Sequence, residues 1–195
     1  NKAIINYEEI NKGNYKSALK VTRYIYDKNN SNSLGHNFIS SITENAKGNL
    51  YIGTMGGGLN LIEKSSEKFF RMKSNSADTN SLSSNYVLKL HAGKSGTLWI
   101  ATYGGGLCRY DEQKKQFKIF KHNPANANSI SENRIYSIRE DAEGNLWLGT
   151  FGTGIDKFNP VTGEFQNFRN NEHDIKTLSN NFARFVFIDA TKNLW

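Results

Sequence analysis

A stretch of eleven residues is written three times in this chain with little change. It reads GNLYIGTMGGG from Gly48, GTLWIATYGGG from Gly96 and GNLWLGTFGTG from Gly144. The spacing is 48 residues each time, without slippage. Leu50, Leu98, Leu146 and Leu194 keep it, as do Tyr51, Trp99, Trp147 and Trp195. Upstream, Asn37, Asn85, Asn133 and Asn181 hold the register, and downstream Phe69, Phe117 and Phe165 hold it. A fixed period of this length means one structural unit copied whole, each copy burying its apolar faces against its neighbours.

One copy reads as four short strands. RIYSIRED, 134–141, is rich in β-formers and runs into the turn signal AEGN. LWLGT, 146–150, is broken by FGTG; IDKFN, 155–159, is followed by the hairpin turn PVTG and then by EFQNFR, 164–169. No helical period is present in the unit. Four strands in a repeat of this size are the mark of a propeller blade. The expected fold is therefore all-β, with blades of four antiparallel strands in an incomplete ring. Whole blades are expected at 38–85, 86–133 and 134–181, with a degenerate partial blade at 1–37 and the start of another at 182–195. The inner strands are expected at 38–44, 86–92, 134–140 and 182–189. The recurring Trp or Tyr of the second strand should pack between adjacent blades, so that Trp147→Ala would cost ~3–5 kcal/mol.

The 195 residues are 37% hydrophobic and 12% aromatic, enough for a core and too much for a disordered chain. No run of apolar residues is long enough to suggest a membrane span. A single cysteine excludes an internal disulfide framework and a thiolate metal cage. The formal charge is +7, but Lys and Arg are scattered, the densest group being Lys114, Lys115, Lys118 and Lys121. A nucleic-acid groove would cluster them. The charge suits steering of an acidic ligand instead.

Most of the chemically suggestive residues read as structural. Gly56–Gly58 and Gly104–Gly106 would need a following helix and a Lys to cradle phosphate, and a strand follows them. His36, His91, His122 and His173 share no repeat position, so no metal site is expected and they are read as loop residues facing solvent. Cys108 has no evident base partner. Glu44, Glu140 and Asp189, with Asp141 beside Glu140, precede turns and are read as turn caps, not as paired hydrolase carboxylates. No catalytic residue, metal or cofactor is expected. The repeat varies at two places. After each recurring Asn stand Phe38, Tyr86, Arg134 and Phe182; after each Gly-Thr or Ala-Thr stand Met55, Tyr103 and Phe151. Strand parity puts both sets on one face, near the mouth of the axis. Met55, Tyr86, Tyr103, Arg134 and Phe151, with Arg184 on an inner strand, are the candidate ligand-binding residues. Rings can stack on sugar faces and a guanidinium can grip a carboxylate or sulfate.

NSISENRIYSIREDAEGNLWLGTFGTGIDKFNPVTGEFQNF, 128–168, resembles the two-component-regulator propeller repeat. The likeness rests on its N-S-L-S-x-N lead, D-x-x-G-N-L-W-I-G-T core and G-G-G-L turn, and it covers residues ~30–195. The resemblance implies the periplasmic sensor domain of a hybrid two-component histidine kinase of Bacteroides type. Such sensors resemble two seven-bladed propellers with a β-sandwich, a membrane helix, a kinase and a regulator, and they sense oligosaccharides. The chain is then expected to be a fragment of such a sensor or a truncated gene product. It would be non-enzymatic itself, would take an oligosaccharide and would meet the membrane only through segments absent here. It would self-associate through open blade edges or as a sensor dimer. The alternatives are a protein–protein interaction propeller and a propeller glycoside hydrolase or lyase.

Overall fold

Every residue of LWIAT, Leu98–Thr102, is buried, which a strand achieves only when both faces of its sheet are covered. The computed structural model describes residues 2–5, 7–66 and 68–195 and shows what covers them. β1 (Lys2–Ile5), α1 (Tyr7–Asn11) and β2 (Leu19–Thr22) come first. Three sheets of four strands follow. They are β3–β6 (Ile39–Glu44, Leu50–Thr54, Gly58–Ile62, Phe69–Met72), β7–β10 (Val87–Ala92, Leu98–Thr102, Leu107–Asp111, Gln116–Phe120) and β11–β14 (Ile135–Glu140, Leu146–Thr150, Ile155–Phe158, Phe165–Phe168). Each sheet is an antiparallel meander in chain order. The inner strands β3, β7 and β11 lie side by side, so the sheets stand as successive propeller blades in an open arc. The outer strands β6, β10 and β14 are largely uncovered, as blade rims are.

The two ends depart from the repeat. β1 and β2 stand where the other units have a second and a fourth strand, yet they pair directly, Lys2 with Thr22 through Ile5 with Leu19. The helix α1 occupies the place of the missing Gly-rich turn and the start of the third strand. YEEIN has neither glycine nor β-alternation, and Glu8 and Glu9 in its first turn favour a helix. The first strand thus ends at Ile5, Asn6 lying outside the described residues. Residues 182–189 were expected as a whole inner strand, but only Phe182 and Ile188 make isolated bridges, to Phe151 and Leu194. A ladder needs a partner along its length. Here Leu194 and Trp195 alone face it, Phe187 and Trp195 exchanging N–H···O bonds of 2.9 and 2.8 Å.

The core lies between blades. Tyr51 and Leu59 of the first blade pack with Leu82, Val87, Leu90, Ile100 and Tyr110 of the second. Trp99, Ala101 and Leu107 of the second pack with Ile130, Ile135, Ile138, Leu148 and Phe158 of the third. The Tyr/Trp position is therefore the blade-to-blade wedge. Trp147 departs from this expectation: it is only half-buried, stacks on Phe168 at 5.5 Å and belongs to no such cluster, because little of the chain covers that face. At the other end Ala3 holds the wedge position. A cavity of about 480 Å³ opens there, lined by Ala3, Tyr24, Leu34, Ile39, Ile52 and Phe69.

The recurring Asn clasps one blade to the next. Asn85 and Asn133 accept at Oδ1 the N–H of Ser74 and His122, both at 2.8 Å, at the end of the preceding blade. The Asn133 carbonyl accepts the N–H of Gly104 and Gly106 from that blade's glycine turn, at 3.1 and 2.9 Å. A second clasp uses the fully buried position 60/108/156. Asn60 accepts Gly35 N–H at 2.7 Å, Cys108 Sγ meets Ser83 Oγ at 2.9 Å, and Asp156 accepts Ser131 N–H and Oγ–H at 3.1 and 2.9 Å.

Burial raises the Asp156 pKa above the usual carboxylate range, against the lowering effect of the Ser131 and Asn167 hydrogen bonds. The native state then holds the Asp156 proton more tightly than the unfolded chain does. This group's contribution to stability falls as pH rises from about 4 through the raised value. Asp156→Asn, which installs the residue of the first blade, should gain on the parent protein as pH rises from 4 to 7. Urea denaturation across that range checks it, and a pH-independent difference would contradict it.

Candidate functional site

The rim residues are placed by the joints just described. Each enters the inner strand after a capped backbone N–H: His36 Nδ1 accepts from Phe38 at 3.0 Å, Ser84 Oγ from Tyr86 at 3.2 Å, Glu132 Oε1 from Arg134 at 3.2 Å and Asn180 Oδ1 from Phe182 at 2.7 Å. Within a blade the two variable positions are tied by main chain. Met55, Tyr103 and Phe151 donate to the carbonyls of Phe38, Tyr86 and Arg134 at 3.0, 2.9 and 3.1 Å. Across each joint they meet the next blade. Met55 bridges to Tyr86, and Phe151 bridges to Phe182 with ring centroids 4.3 Å apart. Tyr103 and Arg134 hold the corresponding places at the second joint, and the Glu132 carboxylate is the main cause of the arginine's raised pKa. The result is one strip running over three blades, with Phe38, Tyr86, Tyr103 and Phe182 exposed along it.

At the third blade the strip thickens into a cluster. Arg134 lies over the Phe151 ring at 4.2 Å, and Tyr136 stacks on Phe151 at 5.7 Å. Arg184 lies over Tyr136 at 5.5 Å. Two members were not expected from sequence. Tyr136 sits at a bulge between Ile135 and Ser137, and the same bulge recurs at Ser40 and Leu88. A bulge re-aims the side chain it carries. The clue was available, because Tyr136 is one repeat before Arg184. Glu132 is the other. Its Oε2 lies 2.5 Å from Arg134 Nη2, and its pKa is lowered because hydrogen bonds from Arg134 and Asn133 outweigh its burial. Arg134 was expected to be free to grip an anion; it is instead neutralised, since Glu132 stands two residues away on the same face.

Several of the other ionisable groups serve the scaffold. The turn caps are Asp141 and Asp189, not Glu44 and Glu140. Asp141 accepts Asn145 N–H at 2.8 Å and the Trp147 indole N–H at 3.0 Å; Asp189 accepts Asn193 N–H and the Trp195 indole N–H, both at 2.8 Å. The cap must lie one residue beyond the strand for its oxygens to reach the turn. Glu140, still in the strand, points across the joint to His91 Nε2 at 3.0 Å and the Lys94 N–H at 2.9 Å. One histidine departs from the expected solvent-facing loops: His91 is a strand residue, whereas His122 lies in an exposed loop, its Nδ1 2.9 Å from the Ile130 carbonyl. Burial pushes the Cys108 thiol above its usual pKa, so it is a poor nucleophile. Among the described residues no three His, Cys, Asp or Glu side chains gather as a metal site. The strip offers exposed ring faces and a guanidinium.

Three segments, 33–56, 81–104 and 129–152, match the two component regulator propeller. No curated protein matches the chain. Among solved structures it is similar to the extracellular domain of a proposed hybrid two component system from B. thetaiotaomicron. The identity is 25% over 93% of this chain and 22% of that one, with a TM-score of 0.72. A second such domain from the same organism is 23% identical over 81% of this chain and 22% of that one, with a TM-score of 0.71. Virginiamycin B lyase from Staphylococcus aureus shares the fold at 16% identity and a TM-score of 0.60, over 89% of this chain and 51% of that one. The chain thus spans 22% of the length of either extracellular domain. Its blades, its three matched segments and these likenesses agree: the chain carries repeats of the two component regulator propeller type.

Proposed function

We propose that this chain is part of the periplasmic sensor of a hybrid two-component system, and that its rim strip recognises an oligosaccharide. One observation carries the reading: exposed rings follow one another across successive blade joints, on a scaffold clasped together by the recurring Asn side chains. Exposed rings held on turns suit the flat apolar faces of sugar rings. Ligand bound across joints would bias the relative setting of blades, and the sensor dimer would pass this to a kinase outside the chain. The likeness to extracellular sensor domains supports the compartment.

Calorimetric titration with a panel of neutral and acidic oligosaccharides tests the reading. At least one class should bind, and Tyr103→Ala and Phe182→Ala should each weaken it about tenfold, the loss of one stacking contact. Silence across the panel would overturn the reading. Capture of a protein partner by the same rings would then favour an interaction propeller, since exposed aromatic patches also mark protein interfaces.

A further inference from the structure

We infer that Arg184 selects an anionic ligand on the strip, so that the oligosaccharide bears a carboxylate or sulfate where it meets the third blade. This rests on the reading of the strip as a sugar-binding surface. Two arginines touch the same ring cluster, and their surroundings divide their roles. Arg134 is held by Glu132 at 2.5 Å. The other oxygen of Glu132 accepts the N–H groups of Asn133 and Arg134 at 2.7 and 3.2 Å. That pair is closed and locally neutral. Arg134 is a positioning residue that steadies the Phe151 ring beneath it.

Arg184 makes no ion pair or hydrogen bond among the described residues, and it is exposed. Its guanidinium rests over Tyr136, which stacks on Phe151, which in turn meets the exposed Phe182. A guanidinium seated on a ring keeps its N–H edge open, and that edge matches two oxygens of one carboxylate or sulfate. Glu132 and Glu140 do not compete, because Glu132 is closed on Arg134 and Glu140 on His91 and Lys94. Arg139, over the ring of Phe185 at 5.3 Å and likewise without an ion pair among the described residues, adds a second unpaired cation beside the residue that follows Arg184. A sugar ring stacked on Phe182 would therefore present its substituents to an unsatisfied cation.

The test compares two trisaccharides that differ only at C6, α-1,4-linked trigalacturonic acid and α-1,4-linked galactotriose. A chondroitin sulfate tetrasaccharide adds a sulfated probe. The protein should bind trigalacturonic acid or the sulfated probe at least tenfold tighter than galactotriose, with a preference that shrinks as salt is added. Arg184→Gln should abolish the preference, Arg184→Lys should restore part of it, and Lys176→Gln, an equal loss of charge on a distant exposed loop, should leave it intact. Equal binding of acidic and neutral probes, or a preference that survives Arg184→Gln, overturns the inference while the sugar-binding reading stands. Binding of none of the three overturns the inference, and silence across the wider panel takes the sugar-binding reading with it.

Discussion

Trp99→Ala is expected to destabilise the protein by about 3–5 kcal/mol, lowering Tm by roughly 10 °C or more. Trp99 is 4% exposed and its ring meets Phe158 edge-on at 5.6 Å and Phe120 at 6.1 Å. It belongs to the second blade and packs mainly on the third, so its removal opens a void in the joint and not within one sheet. The blades hold their own strands by hydrogen bonds but hold each other chiefly by such wedges. Trp147→Ala at the same repeat position should cost about half as much. That ring is half-exposed and loses one hydrogen bond to Asp141 and one stack on Phe168. Urea denaturation of both variants separates the cases, and equal losses would contradict the assignment of Trp99 as the joint's wedge.

Gly106→Ala is expected to cost roughly 3 kcal/mol or more, against about 1–2 kcal/mol for Gly96→Ala. Both glycines are left-handed, with φ of 78° and 81°. Their surroundings differ. A Cβ on Gly96 would meet nothing within 4 Å, so conformation alone sets its cost. A Cβ on Gly106 would lie 2.2 Å from the Phe120 carbonyl oxygen, a distance only a backbone shift can relieve. That shift would pull on the fourth strand and on the bond from Gly106 N–H to Asn133 in the next blade. Gly154 repeats the contact, 2.1 Å from the Phe168 oxygen. The middle glycine of the turn behaves otherwise, since Thr153 stands there in the third blade and bonds Ser131 and Thr150. Comparing the two alanine variants by denaturation checks the distinction; similar losses would show that the close approach is not a constraint.

Much of this could be read from the chain. The strands expected around LWLGT, IDKFN and EFQNFR lie at Leu146–Thr150, Ile155–Phe158 and Phe165–Phe168, because alternation and turn residues are local signals. The rim positions were legible as the places where an otherwise strict repeat varies. Other features were not. The helix at Tyr7–Asn11 and the direct pairing of β1 with β2 arise where the repeat has decayed and no register remains to read. That Asp141 and Asp189 cap as expected while Glu44 and Glu140 do not rests on a one-residue phase, which decides whether an oxygen reaches a turn or a neighbouring blade.

By itself the sequence determined the unit, its four strands, its 48-residue period and the wedge position between blades. Those depend on backbone conformation and on apolar pattern, which neighbouring residues encode. The tertiary structure alone decided which charges are free. Arg134 and Arg184 look alike in the chain, yet one closes on Glu132 and the other stays open over Tyr136. Glu132 is a sequence neighbour of Arg134, but that its carboxylate turns onto the guanidinium, and that a ring and no carboxylate meets Arg184, is a matter of distances of a few ångströms that the residue order does not record.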